Sequence, residues 1–117
     1  MDDYRHNDKK YIKWAQVVKV KDGFICQVCG QKGGKLESHH KNSWDRASEE
    51  ERYSLLNGVC LCFNCHQGVN GFHSKYGFGN NTEFQFNEFK EIYNLLLKIA
   101  RQEADARFLS RDGYLPP

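Results

Sequence analysis

Apolar residues recur at helical spacing near the start of the chain. They occupy positions i, i+3, i+4 and i+7, which are Tyr11, Trp14, Ala15 and Val18. This period predicts an amphipathic helix over about residues 9–21 whose apolar side faces a core. The helix is expected to stop at Asp22-Gly23, where a turn signal follows the last apolar positions.

A longer stripe with the same period lies in the last third of the chain. Its members are Phe89, Ile92, Tyr93, Leu96, Ile99 and Ala100. The capping-box sequence Thr82-Glu83-Phe84-Gln85 precedes it, so a helix is predicted over about residues 83–107. We expect the stripe to pack in the core and residues 110–117 to form a frayed tail.

The middle of the chain shows shorter, alternating patterns. The segments Lys35–His40 and Val59–Cys62 each predict a short strand. Between them, Ser48-Glu49-Glu50-Glu51 predicts a helix of about two turns, and Asn57-Gly58 predicts a turn. Together the patterns predict an α+β fold in which a small core, over about residues 22–77, lies between N- and C-terminal helices.

Length and charge narrow the class of protein. A chain of 117 residues is expected to fold as one domain over residues 1–117. The formal net charge is only +2, but residues 5–41 carry nine Lys and Arg against three acids, a local +6. This indicates a polyanionic partner, with a merely solvated surface as the alternative. No segment is apolar enough for a membrane span or a signal peptide, so a cytoplasmic location is expected.

Four of the five cysteines form two CxxC pairs. The pairs are Cys26/Cys29 and Cys62/Cys65, and the fifth cysteine is Cys60. In a reducing compartment such pairs indicate metal ligation rather than disulfides. Four thiolates satisfy tetrahedral zinc with bonds of about 2.3 Å. In a core this small, a structural zinc would contribute about 10 kcal/mol or more to folding, as in zinc-dependent peptides.

Three histidines lie close to these cysteines in the sequence. A strand that carries His39 and His40 points them to opposite faces, so one ring could ligate a metal while the other acts as a base. His66 directly follows the last paired cysteine and could bind the same metal. Such a site keeps positions open for a substrate oxygen and water, as hydrolytic metal chemistry requires. The basic residues nearby favour a phosphodiester substrate.

Taken in order, these segments resemble the HNH nuclease family, whose core is the zinc-stapled ββα-metal fold. Leu36–His40 resembles the family's L-E-x-H-H strand, and Asn57–His66 resembles its N-G-x-x-L-C-x-x-C-H segment. Trp14–Gly30 is similar to the lead-in of zinc-stapled members. Phe72–Thr82 resembles the F-H-x-x-Y-G-x-G-N-N-T of short HNH proteins common in bacteriophages. The resemblance covers about residues 10–95.

The resemblance implies roles for single residues. The four paired cysteines would hold a structural zinc, while His39 and His66 would ligate a catalytic divalent ion: Mg²⁺, Mn²⁺, Ni²⁺ or Zn²⁺. His40 is implied as the general base, and Asn57 as the residue that holds the His-bearing loop by hydrogen bonds. On the local sequence alone, an ordinary Asn-Gly turn explains Asn57 nearly as well.

The segment after His66 departs from the family pattern. Members often carry a second histidine four residues on, but position 70 is Asn70 and the next histidine is His73. Seven residues on a straight helix span about 10 Å, too far for two ligands of one ion. Either Gly68 and Gly71 break the helix and bring His73 back, or Asn70 is the third ligand. The resemblance around His73 favours the histidine.

The resemblance also implies an activity: a metal-dependent DNA endonuclease that leaves 5′-phosphate and 3′-hydroxyl ends. A monomer with one site is expected to nick, with Lys41 and Arg46 as phosphate contacts. The phage-like segment suggests a part in viral DNA processing or packaging beside a terminase, in the host cytoplasm. The alternatives are a zinc module that binds DNA without cutting it and an RNA-cutting or toxin-type nuclease.

Overall fold

The computed structural model describes residues 7–111, with side chains described as far as Asp105. Its elements, in chain order, are α1 (Lys9–Lys21), β1 (Leu36–His40), α2 (Glu49–Arg52), a 3₁₀ turn (Leu55–Asn57), β2 (Gly58–Cys62), α3 (Phe63–Gln67), α4 (Phe72–Tyr76) and α5 (Glu83–Arg111). The prediction of an α+β fold with flanking helices is confirmed. Of the expected frayed tail, Ser110 and Arg111 belong to α5, and residues 112–117 lie outside the described residues.

The two strands form an antiparallel hairpin on which the rest of the fold is built. Its register pairs Leu36 with Cys62 at one end and His40 with Gly58 at the other. Neighbouring side chains on a strand point to opposite faces. The hairpin therefore turns His39 toward α4 and α5, where Phe72 and Phe86 lie, and turns His40 toward α1.

Helix α1 packs directly on the backbone of the hairpin. It begins at the N-cap Asp8, whose carboxylate accepts hydrogen bonds from two N–H groups of the first turn. Its inward face buries Trp14 and Val18, as the apolar period predicts. A Cβ added at Gly58 would lie 2.4 Å from Val18 Cγ2 and 2.8 Å from Trp14 Cζ2. Only glycine allows this close approach.

The segment between the strands differs from its prediction in two ways. Helix α2 has only four residues, because Ser54 starts a separate 3₁₀ turn by accepting a hydrogen bond from the Leu56 N–H at 3.2 Å. The prediction of an Asn-Gly turn is wrong: Asn57 ends the 3₁₀ turn, and Gly58 opens β2 with an ordinary φ of −107°. The glycine is required by the helix packed above it rather than by a turn.

Helix α5 begins with the predicted capping box. The Thr82 hydroxyl accepts a hydrogen bond from the Gln85 N–H at 3.2 Å, and the Gln85 side chain accepts one from the Thr82 N–H at 3.0 Å. The first turns of the helix bury Phe86 and Phe89 against the core. The helix ends at Arg111, later than the predicted residue 107.

The outer half of α5 projects beyond the core. A helix of 29 residues is about 43 Å long, whereas the molecule measures only 25 Å across its two shorter axes. Tyr93 still packs against the core, but Leu96 is 60% exposed and Ile99 is 42% exposed. Ala100 is exposed as well. The expectation that the whole stripe is core is therefore wrong for Leu96, Ile99 and Ala100, because the small hairpin cannot cover so long a helix.

Candidate metal centres

The four paired cysteines converge on one point. All four sulfur atoms lie within 4.8 Å of one another, and the Cys29 and Cys62 sulfurs are 3.7 Å apart. Tetrahedral zinc with bonds of about 2.3 Å separates its sulfur ligands by about 3.8 Å. The cluster therefore has the donor set and the spacing that a structural zinc requires.

Two different local structures deliver these sulfurs. The first pair lies in a tight knuckle, in which Gly30 N–H donates to the Cys26 carbonyl at 2.9 Å and Cys26 N–H donates to the Gln31 carbonyl at 2.8 Å. The second pair joins β2 to α3, where the Cys62 sulfur caps the helix by accepting the Cys65 N–H at 3.4 Å. The cysteine cluster thus fastens the beginning of α3 to the knuckle.

The thiols of the cluster share protons unequally. A hydrogen bond from the Cys65 thiol lowers the pKa of Cys26 to about 4, and the same hydrogen bond together with burial raises the pKa of Cys65. The cluster thus holds one thiolate among neutral thiols. A metal cation would bind the thiolate and displace the protons of the remaining thiols. Cys60 lies outside the cluster, and burial raises its pKa to about 11, so it stays a neutral core thiol.

A second cluster brings together three histidines from three elements. His39 on β1, His66 on α3 and His73 on α4 each offer a ring nitrogen, and these nitrogens lie within 4.8 Å of one another. The Nε2 atoms of His66 and His73 are 3.0 Å apart. The three residues named from the sequence as metal ligands are thus neighbours in space.

A break between two short helices brings His73 back toward His66. Helix α3 ends at Gln67 and α4 begins at Phe72, so the seven-residue separation does not run along one straight helix. A Cβ at Gly68 or at Gly71 would lie 2.6 or 2.5 Å from the Asn64 carbonyl oxygen, so the tight connection needs both glycines. Asn70 is exposed and lines a cavity beside Cys29 and Tyr93. The geometry favours His73 over Asn70 as the third ligand.

Hydrogen bonds fix the tautomers of two of these rings. His66 Nδ1 lies 2.7 Å from the Glu37 carboxylate, and His73 Nδ1 lies 2.8 Å from the Gly77 carbonyl. An ionised carboxylate and a carbonyl only accept hydrogen bonds, so both Nδ1 atoms carry the proton. In neutral rings the two Nε2 lone pairs then face each other at 3.0 Å, which is repulsive unless a cation lies between them.

The ring of His39 is the third in the cluster, and one of its nitrogens has no hydrogen-bond partner among the described residues. His39 is 3% exposed, and its Nε2 has no hydrogen-bond partner among the described residues. Burial, with the nearby His66 and His73, holds the pKa of His39 well below its usual range, and burial also lowers the pKa of His73. These rings are therefore neutral, the form that ligates metals. A divalent cation fits this set of three imidazoles.

His40 lies on the other face of the hairpin, inside an aromatic cage. Its ring stacks on Trp14 with 3.8 Å between centroids and a 12° angle, with Tyr11 and Trp44 further out. His40 Nε2 donates to the Arg52 carbonyl at 2.7 Å, so this nitrogen carries a proton. The side chain is only 7% exposed, so its orientation is fixed by its surroundings.

Asn57 fastens the segment that follows the histidine-bearing strand. Its Oδ1 accepts the Asn42 N–H at 2.8 Å, and its Nδ2 donates to the Asn42 carbonyl at 2.9 Å. Its own carbonyl accepts the Lys41 N–H at 2.8 Å. The residue is 5% exposed, so these bonds are shielded from water. The side chain therefore pins the chain within two residues of His40.

The two residues expected to contact phosphate lie at the edge of this region. Lys41 Nζ is 3.5 Å from the Glu83 carboxylate, and the Arg46 guanidinium donates to the Asn80 side chain at 3.1 Å. Both partners are exposed: Asn80 lies in the loop before α5, and Glu83 is the first residue of α5. A phosphate would compete with these weak surface contacts, which typically contribute about 0–1 kcal/mol.

Two residues next to the histidine cluster had no role assigned from the sequence. Glu37 lies two positions before His39 on β1 and therefore on the same face, and this spacing could have indicated a partner for a ligand. Phe78 stacks on His73 with 4.3 Å between centroids and a 12° angle. No local pattern indicates Phe78, because the contact depends on the loop after α4.

Comparison with known proteins agrees with this geometry. Residues 26–71 match the family model described as HNH endonuclease, which confirms the resemblance of this part of the chain to the HNH family. The matched range includes both CxxC pairs, the histidine doublet, Asn57 and His66, and ends two residues before His73. No curated protein and no solved structure matched the chain. None of the described helices has the length and apolarity needed to cross a membrane.

We predict that the purified protein keeps about one zinc per chain after dialysis, because four sulfurs form a closed tetrahedral site. Cys26→Ser should lose this zinc and melt at a much lower temperature. Cys60→Ala is the matched control: it removes a buried thiol outside the cluster and should retain the zinc. Metal analysis and thermal unfolding check both variants. A stable zinc-free wild-type protein would contradict the assignment.

We predict that His73→Ala raises the dissociation constant of a divalent ion at the histidine cluster at least about tenfold, because one of three imidazole ligands is lost. Asn70→Ala, three residues away, should bind the ion like the wild type. Calorimetric titration of the zinc-loaded protein with Mn²⁺ measures both. The reverse order of effects would make Asn70 the ligand, and equal, small effects would leave only His39 and His66.

Proposed function

We propose that this protein is a metal-dependent endonuclease that hydrolyses DNA phosphodiester bonds, leaving 5′-phosphate and 3′-hydroxyl ends. The ring nitrogens of three histidines converge on one point, and this convergence is the main support for the proposal. HNH domains are in general nucleases or DNA-binding modules, and this cluster adds an open metal site to the cysteine site. A pure binding module would have no use for it.

The chain's own residues would orient the histidine rings for a divalent ion. Glu37 and Gly77 hold the Nδ1 protons of two ligands, so that their Nε2 lone pairs point at the same position. When bound there, a divalent ion such as Mg²⁺, Mn²⁺, Ni²⁺ or Zn²⁺ would polarise the scissile phosphate and stabilise the leaving 3′ oxygen. Three protein ligands leave room for the substrate oxygen, which a closed four-ligand site lacks.

His40 would act as the general base. This role rests on the resemblance of Leu36–His40 to the family's strand, and in it the His40 ring would take a proton from the attacking water. The water oxygen forms the new bond to phosphorus, and the bond from phosphorus to the 3′ oxygen breaks. That oxygen leaves as an alkoxide and becomes the 3′-hydroxyl by taking a proton from solvent water. Asn57 would keep the chain after His40 in position through its two bonds to Asn42.

The basic residues near the histidine cluster support a nucleic-acid substrate, and the single cluster supports cutting of one strand at a time. Lys41 and Arg46 would exchange their surface partners for backbone phosphates, supported by the local +6 of residues 5–41. One site cuts one strand, so a monomer would nick. The phage-like segment after His66 supports work on viral DNA, in packaging beside a terminase and in the host cytoplasm, by analogy alone.

Supercoiled plasmid provides the direct test of this function. The zinc-loaded protein is incubated with plasmid and each of Mg²⁺, Mn²⁺, Ni²⁺ and Zn²⁺, with EDTA as the control and a structured RNA as a parallel substrate. Conversion to the open-circular form without linear product is the expected result. Binding without cleavage under every ion would favour the zinc module, and cleavage of RNA alone would favour the RNA-cutting nuclease.

We predict that His40→Gln lowers the nicking rate by about 10²–10⁴, the usual range for loss of a general base. Glutamine can still donate to the Arg52 carbonyl and fills most of the cage, whereas His40→Ala would also remove the stacking on Trp14. Nicking rate, melting temperature and DNA affinity are measured together. A His40→Gln variant that nicks at more than about a tenth of the wild-type rate would place the base elsewhere.

A further inference from the structure

Phe78 presents an aromatic face to solvent directly beside the histidine cluster. The side chain is 74% exposed, and its covered face stacks on His73 with 4.3 Å between centroids. Scattered apolar side chains are ordinary on protein surfaces. This one differs because it rests on a metal-ligand ring, so anything stacked on its outer face would lie within two ring thicknesses of His73.

The backbone around Phe78 is built to hold it there. Gly77 and Gly79, on either side, have φ of +79° and +88°, a region that side-chain-bearing residues rarely adopt. The Gly77 N–H donates to the His73 carbonyl at 2.9 Å, and the Gly77 carbonyl accepts the His73 Nδ1 proton at 2.8 Å. The turn that exposes Phe78 is thus the same turn that fixes the His73 tautomer.

The other end of this loop is anchored to the chain that follows β1. Asn81 is 1% exposed; its N–H donates to the Ser43 hydroxyl at 2.9 Å, and its carbonyl accepts the Ser43 N–H at 3.0 Å. The Asn80 N–H donates to the Asp45 carboxylate at 2.9 Å. Because the loop is held at both ends, its exposed ring is already in position before a ligand binds. Binding then loses little conformational entropy, which favours recognition.

The same anchors connect the loop to the basic residues of the site. Arg46 donates to the Asn80 side chain, and Lys41 lies 3.5 Å from Glu83, just past the loop. A cationic edge next to an exposed aromatic ring is the combination that proteins use to bind single strands: the cations follow the phosphates, and the ring stacks on a base.

We propose that Phe78 is a stacking platform for one nucleobase of the DNA strand at the cleavage site. The proposal rests on the proposed function, which supplies the strand. Bases inside a duplex are stacked on both faces, so the ring can reach one only where it is unpaired or extruded. The substrate class is therefore DNA with an unpaired nucleotide at the cut, such as a single strand, a flap, a bubble or a locally unpaired segment of a supercoiled plasmid, rather than fully paired relaxed duplex.

A purely structural role for Phe78 would give different results from a platform. Phe78→Leu keeps an apolar cover on His73 but has no aromatic face, whereas Phe78→Trp keeps both. Phe84→Ala is the matched control, because Phe84 is 75% exposed on the first turn of α5 and has no ring contact with the histidines among the described residues. If Phe78 only orients His73, Leu and Trp should behave alike.

Binding can be measured without cleavage. Single-stranded oligonucleotides carrying 2-aminopurine at successive positions are titrated with zinc-loaded protein, with no other divalent ion added. We expect wild type and Phe78→Trp to quench the probe at one position. Phe78→Ala and Phe78→Leu should lose that quenching and bind between about 5-fold and 150-fold more weakly, the range of one base–aromatic stack. Phe84→Ala should match wild type.

Three results would overturn the platform: unchanged quenching in Phe78→Ala, equal behaviour of the Leu and Trp variants, or fully paired duplex bound as tightly as single strand. A wild-type protein that nicks plasmid but shows any of these keeps its nuclease function and loses the platform. A protein that quenches through Phe78 but never cuts keeps the platform and loses the nuclease. The two failures are thus separable.

Discussion

The five residues of α3 connect the two candidate metal centres, the cysteine cluster and the histidine cluster, and both depend on where this helix lies. So short a helix is not stable alone, because its nucleation costs more than its few hydrogen bonds return. Cys65 belongs to the cysteine cluster, and the next residue, His66, belongs to the histidine cluster. Consecutive helical residues point about 100° apart. Zinc at the cysteines would therefore fix the direction of His66 on the other side of α3.

The histidine cluster takes its remaining order from the core rather than from the zinc. Phe72, the first residue of α4, is fully buried and contacts the His39 ring with 4.6 Å between centroids. The same side chain starts the short helix that carries His73. Packing one phenylalanine thus positions His39 and His73, two candidate ligands from different elements. Close-packed interiors transmit such constraints because side chains have few alternative positions.

Much of the fold could be predicted from the sequence because the motifs that indicate it each span only a few neighbouring residues. Two CxxC pairs, a capping box read at Thr82 and Gln85, and an apolar period around Trp14 each depend on a few neighbouring residues, and each is found where expected. The α+β fold and the HNH domain follow from these in order.

What could not be predicted depends on contacts between distant segments. Gly58 is a glycine because α1 lies on it, and Leu96 is exposed because the core ends before it does. Glu37 holds His66 from 29 residues away, and Phe78 reaches His73 only through a turn with positive φ. In the sequence alone, His73 was one of two alternatives, since the decisive bend lies in a four-residue connection.

We infer that α3 joins two separate metal centres with different ligands. Anomalous X-ray scattering from crystals grown with zinc and soaked in Mn²⁺ tests it directly, because data at the two absorption edges locate each ion independently. We expect zinc among the sulfurs of Cys26, Cys29, Cys62 and Cys65, and manganese among the rings of His39, His66 and His73. A single metal position, or manganese bound away from these three rings, would contradict it.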